Sequence, residues 1–151
     1  MKLAEALNER TARRDKIEEL KQRLYRNTLV QEGETPAEDP AALLVELGEQ
    51  IEAFTALLTR INLTNTRASL PDGMLLVEAL ARRDMLHLQQ LVHDNMASKA
   101  NPDQDRYSKR EIKLIATVNV AALRARRDEL ARTARRLDLT IQQTNWLTEL
   151  M

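Results

Sequence analysis

The stretch that decides the fold spans residues 40–65 and reads PAALLVELGEQIEAFTALLTRINLTN. Its apolar residues recur in alternating steps of three and four, which places them on one face of an α-helix. This face comprises Leu44, Leu47, Ile51, Phe54, Leu58, Ile61 and Asn65. Pro40 suits the first turn, because the backbone N–H that proline lacks has no partner there in any case. The stretch therefore predicts one long helix with a coiled-coil-like apolar seam.

Three further stretches predict helices of similar length. Their predicted bounds are about Leu3 to Asn27, Met74 to Ala97, and the residue after Asn119 to Thr148. Asn119 is a favoured N-cap residue, and the turn signal at residues 70–73 precedes the third helix. The sequence thus predicts an all-α protein of four long antiparallel helices, as a bundle or as paired helical hairpins, in a single domain over residues 1–151.

The composition fits a helical protein in a reducing compartment. Of the 151 residues, 43% are apolar and 30% charged, with three glycines and four prolines, which is typical of long helices. The absence of cysteine excludes disulfides and thiolate metal sites. The first residues lack the apolar segment of a signal peptide, and no apolar run approaches the roughly 20 residues that span a bilayer. We therefore expect a cytoplasmic protein with no membrane contact.

The stretch between the third and fourth predicted helices leaves two alternatives open. Residues 108–111, Ser-Lys-Arg-Glu, match a capping box and predict a short helix. An alternation typical of a strand follows, formed by Ile112, Leu114, Ala116 and Val118. The strand alternative, which we adopt, predicts an extended arm over residues 106–118. A lone strand needs a partner, so this arm would pair with residues 28–31 or with another subunit.

The tetrapeptide Ala-Arg-Arg-Asp occurs three times, each time inside a predicted helix. The second arginine of each copy lies three residues before an apolar residue, and so near the core-facing side of its helix; these are Arg14, Arg83 and Arg127. A half-buried guanidinium needs a partner, because leaving it unpaired is costly. Three uses are open: carboxylates of the same chain, an ionic layer between subunits, or a phosphate or carboxylate ligand. Pairing within the chain is the favoured one.

Charge is unevenly distributed, although 23 basic residues balance 23 acidic ones. Residues 27–59 contain no Lys or Arg, whereas Glu46, Glu49 and Glu52 lie there, and residues 106–136 are rich in Lys and Arg. Separate acidic and basic segments can pair between helices or between subunits, and a contact of that kind weakens at high salt. The zero net charge makes nucleic acid an unlikely partner.

A polar pocket is a further candidate site. The pocket would join residues near the end of the second predicted helix to the start of the arm, namely Asn62, Asn65 and Arg60 to Arg106, Tyr107 and Ser108. The simpler interpretation is that Asn65 ends an apolar seam, where an amide can fix the register of packing.

Metal and catalytic chemistry find little support in the sequence. Asp84 and His87 have the spacing of metal-binding motifs in helical bundles, but such a site needs matching motifs on other helices, and the chain has only two histidines. No Gly-rich phosphate loop or Ser-His-Asp pattern is present. We therefore expect no metal, no cofactor and no catalytic residue.

Segments spread over nearly the whole chain share their order and spacing with a known group of proteins. They are residues 29–34, 36–40, 60–62, 64–65, 72–73, 105–108, 111–113, 117–118 and 145–146. The chain thereby resembles a family of small uncharacterised bacterial proteins, some of them called septicolysin-like. The resemblance implies a fold of long helices and no agreed activity. Pore formation, which the septicolysin name suggests, is not expected, because the chain has no basic amphipathic membrane helix.

These observations favour a homo-oligomeric scaffold or interaction protein without catalysis. Only 3% of the residues are aromatic and the predicted seams are narrow, so one chain alone would have a thin core. The alternative is a protein that binds an anionic small molecule through Arg14, Arg83, Arg106 or Arg127. RNA binding is a third possibility, which the zero net charge disfavours.

Overall fold

The computed structural model describes residues 1–100 and 114–151. It contains four helices, α1 (Leu3–Arg26), α2 (Pro40–Asn65), α3 (Leu76–Lys99) and α4 (Val120–Leu147). The described residues form no strand, and Lys2 and Glu149 form an isolated antiparallel bridge. The all-α prediction is confirmed, and the helix bounds lie close to those predicted from the sequence.

Side-chain caps explain where α2 and α4 begin. The Asp39 carboxylate accepts a hydrogen bond from the Ala41 N–H at 3.0 Å, directly before the first turn. The Asn119 side-chain oxygen accepts the Ala122 N–H at 3.0 Å. Each cap satisfies a backbone donor that the helix itself leaves unpaired.

The start of α3 depends on the turn before it. Leu75 occupies the N-cap position and offers no side-chain hydrogen bond. The turn is closed by Gly73, whose φ of 87° favours glycine, and by Asp72, whose carboxylate accepts the Met74 N–H at 3.0 Å. The turn predicted at residues 70–73 therefore precedes α3 directly, and the helix begins without a side-chain N-cap.

The chain forms two compact units. The first contains residues 1–69 and 143–151, and the second contains residues 70–142. The first thus holds α1 and α2 together with the end of α4, and the second holds α3 and most of α4. The expectation of a single domain stays a prediction.

The core of the first unit lies between α1 and α2. Leu20 of α1 is fully buried, and Leu43, Leu57 and Ile61 are the buried apolar residues of α2. The two helices are antiparallel, because Arg23 near the end of α1 pairs with Glu38 just before α2 begins. Burial of apolar side chains between these two long helices thereby stabilises the hairpin.

The buried face of α2 differs from the predicted seam. Leu44 and Ile51, both assigned to the seam, are 60% and 47% exposed. Of the predicted seam only Ile61 is buried; the other buried residues, Leu43, Leu57 and Thr64, each lie one position before a seam residue. Residues 43 and 44 are both leucine, so periodicity alone fits either face, and contact with α1 decides between them. The rotation leaves apolar side chains of α2 at the surface.

In the second unit, α3 and α4 also run antiparallel. A guanidinium N–H of Arg127 on α4 donates to the Asp94 carboxylate on α3 at 2.7 Å. Nearer the start of α3, Arg83 Nε lies 3.9 Å from Asp138 Oδ1, near the end of α4. An earlier residue of α3 thus pairs with a later residue of α4, so the two helices run in opposite directions.

The predicted arm lies mostly outside the described residues. Arg106 and Tyr107 belong to that part, so the pocket proposed for them with Asn62 and Asn65 stays a prediction. Residues 114–119, which are described, form no helix or strand before α4 begins. Within the described ranges, no helix combines the length and the apolar character that a membrane span requires.

Candidate functional site

Charged side chains of α3 and α4 face one another along the second unit. We call Arg83, His87, Asp94, Arg127 and Asp138 the polar line. The side chains of Arg83, Arg127 and Asp138 are each about one third exposed. They are therefore held between the two helices without being removed from water.

Arg127 is paired with two carboxylates of its own chain. Besides Asp94, it binds Asp128, whose Oδ1 accepts hydrogen bonds from Nε at 3.0 Å and from a terminal guanidinium nitrogen at 2.8 Å. The hydrogen bond to Asp94, followed by that to Asp128, raises the pKa of Arg127. Pairing within the chain, the favoured interpretation of the sequence, accounts for this residue.

Arg83 forms a looser group with His87 and Asp138. Its guanidinium donates two hydrogen bonds to Asp84 Oδ1, at 3.0 and 2.8 Å. Asp138 lies 3.9 Å from Arg83 and 3.7 Å from His87 Nε2, both beyond a close hydrogen bond. Arg83 and Arg127 thus lie on one hairpin, each with its own carboxylate.

A cleft of about 570 Å³ opens beside the polar line. Its lining residues are His87, Gln90, Leu91, Asp94 and Arg127. The volume lies in the range of small-molecule sites, and the walls offer both hydrogen-bond donors and acceptors. Among the described residues, however, no group of three or more His, Asp or Glu side chains is placed to hold a metal ion.

The first unit shows that a similar hairpin can be built without the polar line. α1 and α3 have 24 residues each, and α2 and α4 begin at Pro40 and Val120, so residues can be matched by their distance from the helix start. α4 carries Arg127, Ala131, Ala134 and Asp138 where α2 carries Leu47, Ile51, Phe54 and Leu58. The charges of the polar line are therefore a property of the second unit and not a requirement of the hairpin.

The remaining predicted site residues that the structure describes lie in the first unit. Arg14 has a 72% exposed side chain, and its Nε lies 3.8 Å from Asp15. Asn62 is exposed and Asn65 is half-buried. Arg14 therefore lies on the surface of the first unit, whereas Arg83 and Arg127 belong to the second.

Thr64 is a buried polar residue that the sequence reasoning missed. It is 1% exposed, and its hydroxyl donates to the Arg60 carbonyl at 2.8 Å and accepts the Met151 N–H at 3.1 Å. Arg60 Nε in turn donates to the Met151 carbonyl oxygen at 2.6 Å. The signal in the sequence is the pattern Ile-x-x-Thr-Asn, which occurs at residues 61–65 and again at 141–145.

Comparison with known proteins supplies a family and no activity. No curated protein matches this chain. The chain is similar to a protein of known crystal structure, described as a functionally unknown conserved protein from Corynebacterium diphtheriae. The two share 40% sequence identity with a TM-score of 0.93, over 100% of this chain and 99% of that chain.

The expected relationship to an uncharacterised family is confirmed, whereas the septicolysin-like relationship is not supported. Residues 10–150 match a family of unknown function. The match covers far more than half of the chain. The protein therefore belongs to this family of unknown function, DUF6847.

Proposed function

We propose that this protein is a non-catalytic interaction protein that self-associates through α3. One observation carries the proposal, namely a line of exposed apolar side chains along that helix. This line, the α3 stripe, comprises Val77, Ala81, Met85, Leu88, Val92 and Met96. Its five larger members are between 42% and 54% exposed.

The length of the α3 stripe argues against a chance distribution. Its members recur in steps of three and four, so they share one side of the helix. From Val77 to Met96 the stripe extends over about 30 Å at 1.5 Å per residue. Single exposed apolar residues are normal on soluble proteins, but a continuous patch marks an interaction surface.

A groove next to the α3 stripe offers a place for a second helix. It has a volume of about 570 Å³ and lies between α3 and α4. Met74, Leu86 and Leu137 supply much of its apolar wall, and Ala81 and Met85 belong to both the groove and the stripe. A two-fold interface requires one patch that offers both a ridge and a groove, as this one does. The small side chain of Ala81 would let two helices approach closely.

Binding of an anionic ligand, the alternative drawn from the sequence, receives less support. Arg83 and Arg127 already donate hydrogen bonds to carboxylates of the chain. An anion would have to displace those carboxylates before it reached either guanidinium. Arg14 is largely exposed, and water weakens an ion pair at such a position.

Sedimentation velocity tests self-association through α3. Wild-type protein should sediment as a multiple of the 17.3 kDa chain. Leu88→Glu places a charge in the middle of the α3 stripe and should give the single-chain mass, with helicity unchanged by circular dichroism. Leu63→Glu is the matched control, since Leu63 is an exposed leucine of α2.

The proposal fails if the wild-type protein is a single chain at every concentration. It also fails if Leu88→Glu keeps the wild-type mass. A loss of association in Leu63→Glu equal to that in Leu88→Glu would remove α3 as the interface.

A further inference from the structure

A second surface carries charges that have no partner within the described part of the chain. Glu49 and Glu52 on α2 are exposed and form no ion pair there. On α4, Arg132 and Arg135 are likewise exposed and unpaired among the described residues. Arg124 and Arg136 of α4 are exposed and unpaired there as well, whereas Arg126 binds Glu129 at 2.6 Å. Among the described residues, nothing competes with a second copy of the chain for Glu49, Glu52, Arg132 and Arg135.

On each helix, an exposed apolar residue lies four positions from one of the two like charges. Val45 precedes Glu49 by one helical turn and is 64% exposed. Leu139 follows Arg135 by one helical turn and is 61% exposed. Each helix therefore presents one apolar and two charged side chains on the same face, because steps of three and four residues return to that face.

The order of these residues selects one orientation. Read forwards, α2 presents Val45, Glu49 and Glu52; read backwards, α4 presents Leu139, Arg135 and Arg132. Antiparallel helices therefore align the apolar pair and both ion pairs in a single register. A parallel arrangement would place Val45 opposite Arg132 and Leu139 opposite Glu52, which leaves apolar groups facing charges.

We propose that α2 of one copy binds α4 of a second copy in this antiparallel register. Val45 contacts Leu139, Glu49 pairs with Arg135, and Glu52 pairs with Arg132. The inference rests on the proposed self-association and adds a second surface to it, which is too weak to join two copies without the α3 contact. Exposed ion pairs contribute little affinity, so their main effect is to select the partner and its orientation.

Charge reversal with mixing tests this contact by sedimentation velocity at low salt. One variant carries Glu49→Arg and Glu52→Arg, and the other carries Arg132→Glu and Arg135→Glu. Each variant alone places like charges against each other, so its dissociation constant should rise at least about tenfold. In an equimolar mixture, arginine again faces glutamate at both contacts, and the wild-type assembly should return.

Two control variants separate the specific contact from net charge. Glu32→Arg with Glu34→Arg changes the net charge as the α2 variant does, at exposed loop positions. Arg10→Glu with Arg124→Glu does the same for the α4 variant, at exposed helix positions. Neither control should change the mass. If a double variant loses helicity, the single changes Glu52→Arg and Arg132→Glu take its place.

The contact is overturned if either charge-reversed variant assembles like the wild type, or if the mixture assembles no better than its components. If Leu88→Glu still gives the single-chain mass in those cases, self-association through α3 stands and only the α2 and α4 contact falls. If the charge-swapped mixture assembles while Leu88→Glu has no effect, the proposed role of α3 falls instead.

Discussion

In the first unit α1 and α2 meet around Leu20, Leu57 and Ile61, whereas in the second unit α3 and α4 are joined by the pairs Arg83–Asp138 and Arg127–Asp94. Both hairpins use helices of nearly equal length. Leu47 of α2 matches Arg127 of α4 in its distance from the helix start, so the same position holds a half-buried leucine in one hairpin and an ion-paired arginine in the other. The comparison teaches that features found only in the second unit need an explanation other than hairpin formation.

The second unit also combines the α3 stripe with the groove and the polar cleft. Replacing apolar contacts by half-buried ion pairs rarely adds stability, because each charge loses part of its hydration. The apolar residues of α3 that point outwards do not stabilise the isolated hairpin either. The half-buried ion pairs and the exposed apolar residues of α3 both favour a surface used for association. This is why α3 is central to the proposed function.

The largest expected effect is the loss of a core contact in the first unit. Leu20→Ala removes a fully buried side chain and should lower the free energy of unfolding by about 2–5 kcal/mol. Leu44→Ala, at an exposed leucine, should change it by far less. Urea unfolding followed by circular dichroism measures both. Equal losses would show that Leu44 is buried in solution, which would restore the seam predicted from the sequence.

A smaller effect is expected at Thr64. Thr64→Val keeps the shape of the side chain but leaves the Met151 N–H without its hydroxyl partner, which should cost about 1–3 kcal/mol. Thr59→Val is the control, because the Thr59 hydroxyl is at an exposed position and donates only to the Thr55 carbonyl. Urea unfolding compares them. A wild-type stability for Thr64→Val would mean that the hydroxyl does not hold residue 151.

The polar line of the second unit should respond more weakly than the core of the first. Asp94→Ala removes the principal partner of Arg127 and should lower the melting temperature by a few degrees. Adding Arg127→Leu, the residue type found at the matching Leu47, should recover part of that loss, because no half-buried guanidinium then lacks its Asp94 partner. Differential scanning calorimetry measures the melting temperatures of the wild type, Asp94→Ala and the double variant. A double variant less stable than Asp94→Ala would show that the guanidinium stabilises the hairpin independently of Asp94.

The smallest expected effect is the pH dependence of the Arg23–Glu38 pair in the first unit. The Arg23 guanidinium holds the pKa of Glu38 below its ordinary value of 4.5. The contribution of Glu38 to stability is therefore present above pH 4.5 and lost as the pH falls through the lowered pKa in the folded state. Melting temperatures of wild type and Glu38→Gln should differ at neutral pH and converge in acid.

Glu34→Gln, at an exposed position of the same loop, provides the control for Glu38→Gln and should match the wild type at all pH values. A difference between wild type and Glu38→Gln that grows in acid would contradict the assigned pairing. It would show that Glu38 stabilises the fold in its protonated form.

Helix positions could be read from the sequence because their signals are local. Asn119 caps α4 through its own side chain, and Pro40 lies in the first turn of α2. The turn at Asp72 and Gly73 also lies within a few residues of the helix that it precedes. Caps and turns of this kind depend on neighbouring residues and not on the tertiary fold.

The buried face of α2 and the partners of the arginines depend on other helices. Leu43 and Leu44 are chemically identical, so contact with α1 determines which one is buried. Asp94 lies far from Arg127 in the sequence, and only antiparallel packing of α3 on α4 brings the two together. The sequence therefore indicated that Arg127 needs a carboxylate without identifying the one that binds it most closely.

Sedimentation equilibrium of the wild-type protein over a range of concentrations tests the central claim, self-association through α3, most directly. The mass should rise with concentration to a multiple of 17.3 kDa, and Leu88→Glu should abolish that rise. A constant mass of 17.3 kDa at every concentration would contradict it.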